Sequence, residues 1–384
     1  MKRTEFRVSA LLLALLLLVS ALFGCQPKAT EPIEEAPQED VSEPAVSVTY
    51  ELTVRNSQQH TAAQKTYLKS KQYNTPTADM NGKAEQSRPE PIVLKWSRKV
   101  TGGRLDLKEA AIISEDENFT NPTRIESSNS RVELLHVELG KVLYWYVEGR
   151  AGDMVFQSDV SVVHVSSDAP RTLDVGGVTN CRDLGGWKTS DGKTLKQGLL
   201  FRTGQLSHIT SEGKALLLDH FGIKTEIDLR NEAQVKDNGD TTEASKLGSS
   251  VNYVFAPMEW ENLGSDNILT APVNEQSLLK VFAILGDEAN YPLLFHCKIG
   301  TDRTGLIAFL IEGLCGVSEE DIYRDFLFSG FATINKTPEV GRITGFLNTV
   351  KEAPGDTLAE QIENYLLLRG IPAEQIATIR RMMK

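Results

Sequence analysis

The chain of 384 residues lacks positive charge in balance: its formal net charge is -11. An acidic molecule repels the phosphates of nucleic acid over distance, which argues against nucleic acid as a partner. The same field repels phosphorylated small molecules, so a phosphate site here must generate its own local positive potential. Cysteine is scarce too, with only Cys25, Cys181, Cys297 and Cys315. If Cys25 is modified, an odd number remains, which argues against a disulfide framework and leaves at least one thiol free. Cys315 falls in an apolar helical run and reads as core. The apolar run near the start, Leu11 to Val19, is too short to span a bilayer comfortably.

That run has another reading. It follows the basic stretch Met1 to Arg7 and leads through small residues to Leu22-Phe23-Gly24-Cys25. Charge, apolar run and small residues come in the order of an export signal, which predicts a leader over residues 1–25. The end of the leader resembles a bacterial lipobox. That resemblance implies cleavage before Cys25, lipid on its thiol, and a membrane anchor on the extracytoplasmic face. Phe23 is bulkier than the usual residue there, so secretion or an uncleaved anchor stays open. Residues 26–46 are rich in Pro and Glu and predict a disordered tether.

Over residues 47–167 the sequence alternates with period two. Ser47 to Val54, Ile92 to Trp96, Val132 to Leu135, Leu143 to Val147 and Val155 to Val162 read as strands separated by turn residues. They predict a small antiparallel sandwich. Residues of about 57 to 88 are polar and carry no assignable period. The segments Pro91 to Ser97 and Leu143 to Val147 resemble fibronectin type III or immunoglobulin-like domains, which implies a spacer or positioning module.

From residue 170 to 384 the rhythm changes to alternating strands and helices, an α/β pattern. Leu199 to Arg202, Lys224 to Arg230 and Tyr291 to His296 read as strands, and Ser211 to His220 and Glu275 to Leu285 as helices. The last strand runs into His296-Cys297-Lys298-Ile299-Gly300-Thr301-Asp302-Arg303-Thr304-Gly305, and then into a helix apolar nearly all round that Gly316 ends. A strand, a tight loop and a helix start form a unit suited to phosphate. Free N–H groups and the positive end of the helix dipole face the loop, and successive loop amides make an anion nest. Gly300 admits a conformation a side chain would oppose. Arg303 offers paired donors to two phosphate oxygens. The same potential favours a thiolate at Cys297, whose pKa at such a position falls from about 8.5 to about 3.5–7.5. Thr304 is placed to hydrogen-bond the sulfur, and His296 to orient the loop, since a pre-formed thiolate needs no base.

The motif resembles the protein tyrosine phosphatase superfamily. Asn180 to Gly186, Leu200 to Ser207, Ile227 to Arg230 and Gly316 to Tyr323 look like its atypical bacterial tyrosine and lipid phosphatases. The resemblance covers about residues 172–384. It implies metal-free hydrolysis, without a cofactor, of phosphorylated proteins or of phosphoinositides and inositol phosphates. Cys297 would be the nucleophile and residues 298–303 the phosphate cradle. Many members carry a Trp-Pro-Asp acid, which is absent here. Ala256 to Glu261 stands in that region, and Glu259 and Glu261 are weak substitutes. The atypical group places an Asp beside the Arg, so the resemblance points to Asp302 as proton donor; its plain alternative is to cap the helix. Asp228 with Arg230, and Arg182 with Asp183, either face the pocket or form structural ion pairs. Lys298 adds a cation at the rim, as in phosphoinositide phosphatases, while Thr301 stands where lipid-active relatives often have a lysine. Three further expectations stay open: a catalytically silent binding lipoprotein, a rhodanese-like sulfurtransferase, and a protective Cys181–Cys297 disulfide.

Overall fold

The computed structural model describes residues 46–263 and 266–384. The leader, the lipidation reading of Cys25 and the tether fall outside the described residues, apart from Val46. Among the described residues, no helix is long and apolar enough to cross a membrane.

Alternation builds two antiparallel sheets. One orders β1 (Ser47–Arg55), β2 (Ile92–Thr101) and β5 (Arg131–Leu134) as β1-β2-β5. The other orders β3 (Lys108–Ser114), β4 (Thr123–Ser127), β6 (Val142–Ala151) and β7 (Met154–Gln157) as β4-β3-β6-β7, with β8 (Ser161–His164) also on β6. Inward residues of both share one core, where Ile92, Leu94 and Trp96 meet Ile113, Leu143, Trp145 and Val147. Side chains on a strand alternate faces, so the period-two pattern and the burial pattern coincide.

The polar stretch between β1 and β2 leaves the sheets and packs on the α/β body. Its short helix α1 (Ala62–Leu68) begins with a capping box: the Thr61 hydroxyl accepts from the Gln64 amide, and the Gln64 side chain accepts from the Thr61 amide. Tyr67 and Met80 are fully buried in the same apolar cluster as Leu306, Phe326 and Phe331. Backbone bonds continue the attachment. Gly82 N–H donates to the Gly330 carbonyl, Gln86 N–H to that of Phe331, and both Ile334 and Asn335 donate to the Gly82 carbonyl.

The α/β body holds a sheet with order β13-β12-β14-β11-β10-β9. Its strands are β9 (Arg171–Thr172), β10 (Arg182–Asp183), β11 (Leu200–Thr203), β12 (Thr225–Asp228), β13 (Asn252–Phe255) and β14 (Leu293–His296). The four strands from β13 to β11 are parallel, and β10 and β9 extend them antiparallel. The expected helix at 211–220 is α2 (Ser211–Ala215) followed by a wider turn, Leu216–His220. Next come α3 (Glu232–Asp237) and α4 (Glu275–Leu285). Helix α5 (Asp302–Leu314) is buried along its whole length, as its apolar circumference requires. It packs against β11 and β14 and under α6 (Glu319–Phe328), α7 (Val340–Lys351) and α8 (Leu358–Leu368); α9 (Ala373–Met383) closes the body on α4. Gly316, at φ +87°, ends α5, with the Val317 N–H reaching back to the Glu312 carbonyl.

Candidate active site

Strand β14 lies between β12 and β11, with Thr203, His296 and Asp228 in register at its end. The chain leaves this carboxyl end as loop 297–301 and turns into α5 at Asp302. Gly300 has φ +72°, and a Cβ there would sit 2.6 Å from the Thr203 carbonyl oxygen, so neither backbone nor space admits a side chain.

Four successive loop carbonyls are held from outside. The Cys297 oxygen lies 3.3 Å from His296 Nδ1, and the Lys298 oxygen accepts from the Gln205 N–H at 3.1 Å. The Ile299 oxygen accepts from Asn180 Nδ2 at 3.0 Å, and the Gly300 oxygen from Arg202 Nη2 at 2.8 Å. In a trans peptide the N–H points opposite to the C=O. The amides of Lys298, Ile299, Gly300 and Thr301 are thereby directed to the concave side, the arrangement of an anion nest.

The donors behind the loop are themselves clamped. Arg182 and Arg202 are almost wholly buried and share Asp325: Arg182 Nε donates to Oδ1 at 2.8 Å, and Arg202 Nη1 pairs with Oδ2. Arg182 also donates to Asn180 Oδ1. Burial and the neighbouring Arg182 push Arg202 down to about 10, while Asp325 holds it up. Burial, with the charge of Asp325, lifts the Glu312 carboxyl well above its usual range. Arg182 therefore serves the loop from behind.

Cys297 is 2% exposed, at the floor of the loop. Burial alone would push its thiol up. The Arg303 guanidinium, then the hydroxyl and amide of Thr304, overcome this and hold it below the ordinary value, against the opposing charge of Asp302. Cys181 and Cys315 behave oppositely, since burial pushes both up, Cys315 to about 12. Arg303 Nη1 donates to the carbonyls of Leu229 and Met258, both at 3.2 Å, and its buried Nε has no protein partner.

His296 is fully buried, with Nε2 2.9 Å from Glu226 Oε1 and Nδ1 3.8 Å from Asp228 Oδ1. Burial opposes charge on this ring, yet Asp228 and Glu226 hold its pKa above the usual value. A protonated ring donates to Glu226 and to the Cys297 carbonyl together. Asp228 and Arg230 pair with each other through two donors, and Arg230 also reaches Asp240. They form a structural ion pair beside His296. Asp183 is likewise engaged by Arg171 and the amides of Gly185 and Gly198.

Asp302 does not cap α5, which has Thr301 at its N-cap and no side-chain cap bond. Its Oδ2 lies 3.0 Å from Lys336 Nζ and its Oδ1 3.2 Å from Arg342 Nε. Neither cation was singled out by the sequence. Segment 256–261 does stand beside Arg303, through the Met258 carbonyl and the Trp260 ring, 5.8 Å from the guanidinium carbon. The Glu259 carboxylate instead meets Asn231 Nδ2. Lys298 is exposed at the rim.

The expected Cys181–Cys297 bridge is not compatible with this register. Cys181 precedes β10, and β11 lies between β10 and β14. Two strand spacings come to roughly 10 Å, beyond the roughly 7 Å between Cα atoms that a disulfide tolerates. Cys181 also packs with Phe201 and Leu206, in a different cluster from Cys297.

The family model described as "Tyrosine phosphatase family" matches residues 173–383. A protein of Cupriavidus necator, provisionally named a tyrosine-protein phosphatase, is 27% identical over 171 residues, 40% of this chain and 60% of that protein. A tyrosine-protein phosphatase of Nostoc commune is 29% identical over 139 residues, 33% of this chain and 47% of that one. The chain thus spans less than two thirds of either relative. The solved core catalytic domain of a PP-IP phosphatase from S. cerevisiae, in complex with citrate, is similar at 19% identity and a TM-score of 0.27, over 44% of this chain and 84% of that one.

Proposed function

The chain belongs to the tyrosine phosphatase family, and from that premise we propose that it is a cysteine-dependent phosphomonoesterase. The observation that carries this reading is Cys297, its thiol held low by Arg303, under a loop whose carbonyls from Cys297 to Gly300 are drawn to the other side. The Cys297 thiolate attacks phosphorus in line. The bond to the leaving oxygen breaks, and that oxygen takes a proton from Asp302. Water then attacks the phosphocysteine, giving up a proton to Asp302 as the thiolate departs. Loop amides 298–303 and the Arg303 guanidinium hold the equatorial oxygens throughout. Thr304 stabilises the departing sulfur, and charged His296 fixes the Cys297 carbonyl.

The substrate we propose first is phosphotyrosine in protein, with phosphoserine and phosphoinositides as further substrates. The second reading, an inositol phosphate or phosphoinositide phosphatase, is favoured by Lys298 at the rim and by Lys336 and Arg342 beside the loop. We further propose an exported, lipid-anchored protein modified at Cys25. Its residues 47–167 would form an immunoglobulin- or fibronectin III-like positioning module ahead of a phosphatase domain at 170–384. Globomycin-sensitive processing and loss of membrane association in Cys25→Ala test the anchor.

The activity is tested by turnover of para-nitrophenyl phosphate by the full-length protein, with and without EDTA. Metal-independent turnover lost in Cys297→Ser is expected. Undiminished turnover in Cys297→Ser, or a strict metal requirement, removes the mechanism. No turnover of any phosphomonoester favours a silent binding lipoprotein.

A further inference from the structure

Three cationic groups crowd one half-buried indole beside the loop. The guanidinium carbons of Arg303 and Arg342 each lie 5.8 Å from the centre of the Trp260 ring, and Lys336 Nζ lies 5.2 Å from it. Arg303 belongs to the phosphate cradle. Lys336 and Arg342 share Asp302, and Arg342 also reaches Glu339 at 3.6 Å. We propose that Lys336 and Arg342, seated against Trp260, form a second anion subsite for a neighbouring phosphate of a polyol phosphate. When that phosphate binds, it accepts from donors that Lys336 and Arg342 otherwise direct at Asp302. The proposal rests on the phosphatase reading of Cys297 and deepens it.

The cluster is incompletely satisfied as it stands. Asp302 Oδ1 and Arg342 Nε are 3.2 Å apart, yet both atoms are buried without a hydrogen-bond partner. Their charges attract while their geometry forms no aligned bond. A buried polar atom left unmatched is costly, and a tetrahedral oxyanion offers more acceptors, in more directions, than one carboxylate oxygen. An arginine beside a lysine is suited to phosphate, since the planar fork takes two oxygens and the ammonium adds a point charge. The indole holds both cations in place.

The subsite is also pre-positioned. Arg342 Nη1 donates to the Trp260 carbonyl at 3.3 Å. Lys336 follows Ile334 and Asn335, whose amides are both tied to the Gly82 carbonyl. Gly82 has φ +70°, and a Cβ there would fall 2.1 Å from the Lys336 carbonyl oxygen. The segment entering from between the two sheet strands thus fixes where Lys336 stands. Cations held in place before binding cost little to order when the ligand arrives. A compact ring with adjacent phosphates would meet Arg303 and Lys336 together, because Lys336 is bonded to Asp302, the neighbour of Arg303 in sequence.

The experiment compares an inositol bisphosphate carrying adjacent phosphates with the matching monophosphate, using full-length protein. The lipid counterpart is presented in phosphatidylcholine vesicles. The bisphosphate is expected to show about a tenfold higher kcat/KM, equivalent to about 1.4 kcal/mol. That ratio should fall at least about threefold in Lys336→Met and in Arg342→Met, chiefly through KM, with melting temperatures retained. Preference confined to vesicles assigns the phosphate to a lipid headgroup, and preference in solution to a free inositol phosphate. An unchanged ratio in both variants overturns the subsite, as does an equal gain from a phosphotyrosine peptide with a flanking glutamate. Calorimetry on Cys297→Ser separates the two readings. The bisphosphate should bind more weakly once Lys336→Met is added, and equal binding overturns the subsite even if turnover is never seen. Absence of turnover in the wild type, with that binding difference intact, counts against the catalytic reading alone.

Discussion

Arg202 Nη2 donates to the carbonyl oxygen of Gly300 over 2.8 Å, from the side of the loop away from the pocket. The same guanidinium is anchored by Asp325, which also anchors Arg182. One buried carboxylate thus holds the two arginines whose contacts, directly and through Asn180, turn the Ile299 and Gly300 carbonyls outward. Replacing Asp325 by Asn leaves two buried cations short of their counter-charge. Breaking such a pair costs about 3–5 kcal/mol. Urea denaturation of Asp325→Asn should show a loss of that order, and residual folded enzyme should turn over slowly. A stability within about 0.5 kcal/mol of wild type, the range of a surface substitution, would remove Asp325 from this role.

Cys297 should alkylate selectively. Its thiol is held below the ordinary value by Arg303 and Thr304, whereas burial raises Cys181 and Cys315. A depressed folded pKa means that the fold favours the thiolate. That stabilisation is present above the unfolded thiol pKa and is lost as pH falls through the folded one. The iodoacetate rate at Cys297 should therefore reach its plateau below the pH at which a free cysteine peptide does. A profile coinciding with the peptide's contradicts the assigned environment.

Asp302→Asn separates acid catalysis from electrostatics. Turnover of a phosphotyrosine peptide should fall by roughly 10²–10⁴-fold, the usual span for a lost general acid. An aryl phosphate with a good leaving group should lose much less. Equal losses for both would mean that Asp302 acts only through Lys336 and Arg342.

The segment between β1 and β2 is expected to be part of the catalytic body. Tyr67 is fully buried in the main apolar core, and its hydroxyl donates to the Tyr73 carbonyl. Tyr67→Ala should cost about 3–5 kcal/mol, as for other large aromatic truncations. Gly82→Ala, with its Cβ driven onto the Lys336 carbonyl, should raise KM for the bisphosphate more than it lowers kcat. If both variants match wild type in stability and kinetics, the segment only decorates the surface.

The sequence by itself determined the chemistry of the loop. Strand, Cys297, Gly300, Arg303 and the apolar α5 are contiguous, and each residue type does locally what the proposed phosphate site would require. It also marked the sheet strands, because burial on one face leaves period two in the chain. It left open the surroundings of two groups, which only the tertiary structure supplies. Asp228 and Arg230 are partners of each other and of His296, which depends on β12 lying beside β14. Asp302 is held by Lys336 and Arg342, which are more than thirty residues away in sequence, one in an irregular turn and the other in the first turn of α7. Residues 57–88 were illegible for a related reason. Helix α1 has seven residues, too few to establish a repeat, and much of the rest is attached by the single side chain of Met80 and the backbone of Gly82 and Gln86. Backbone hydrogen bonds leave no trace in side-chain pattern, so which cations stand beside Asp302 became visible only when the chain was folded.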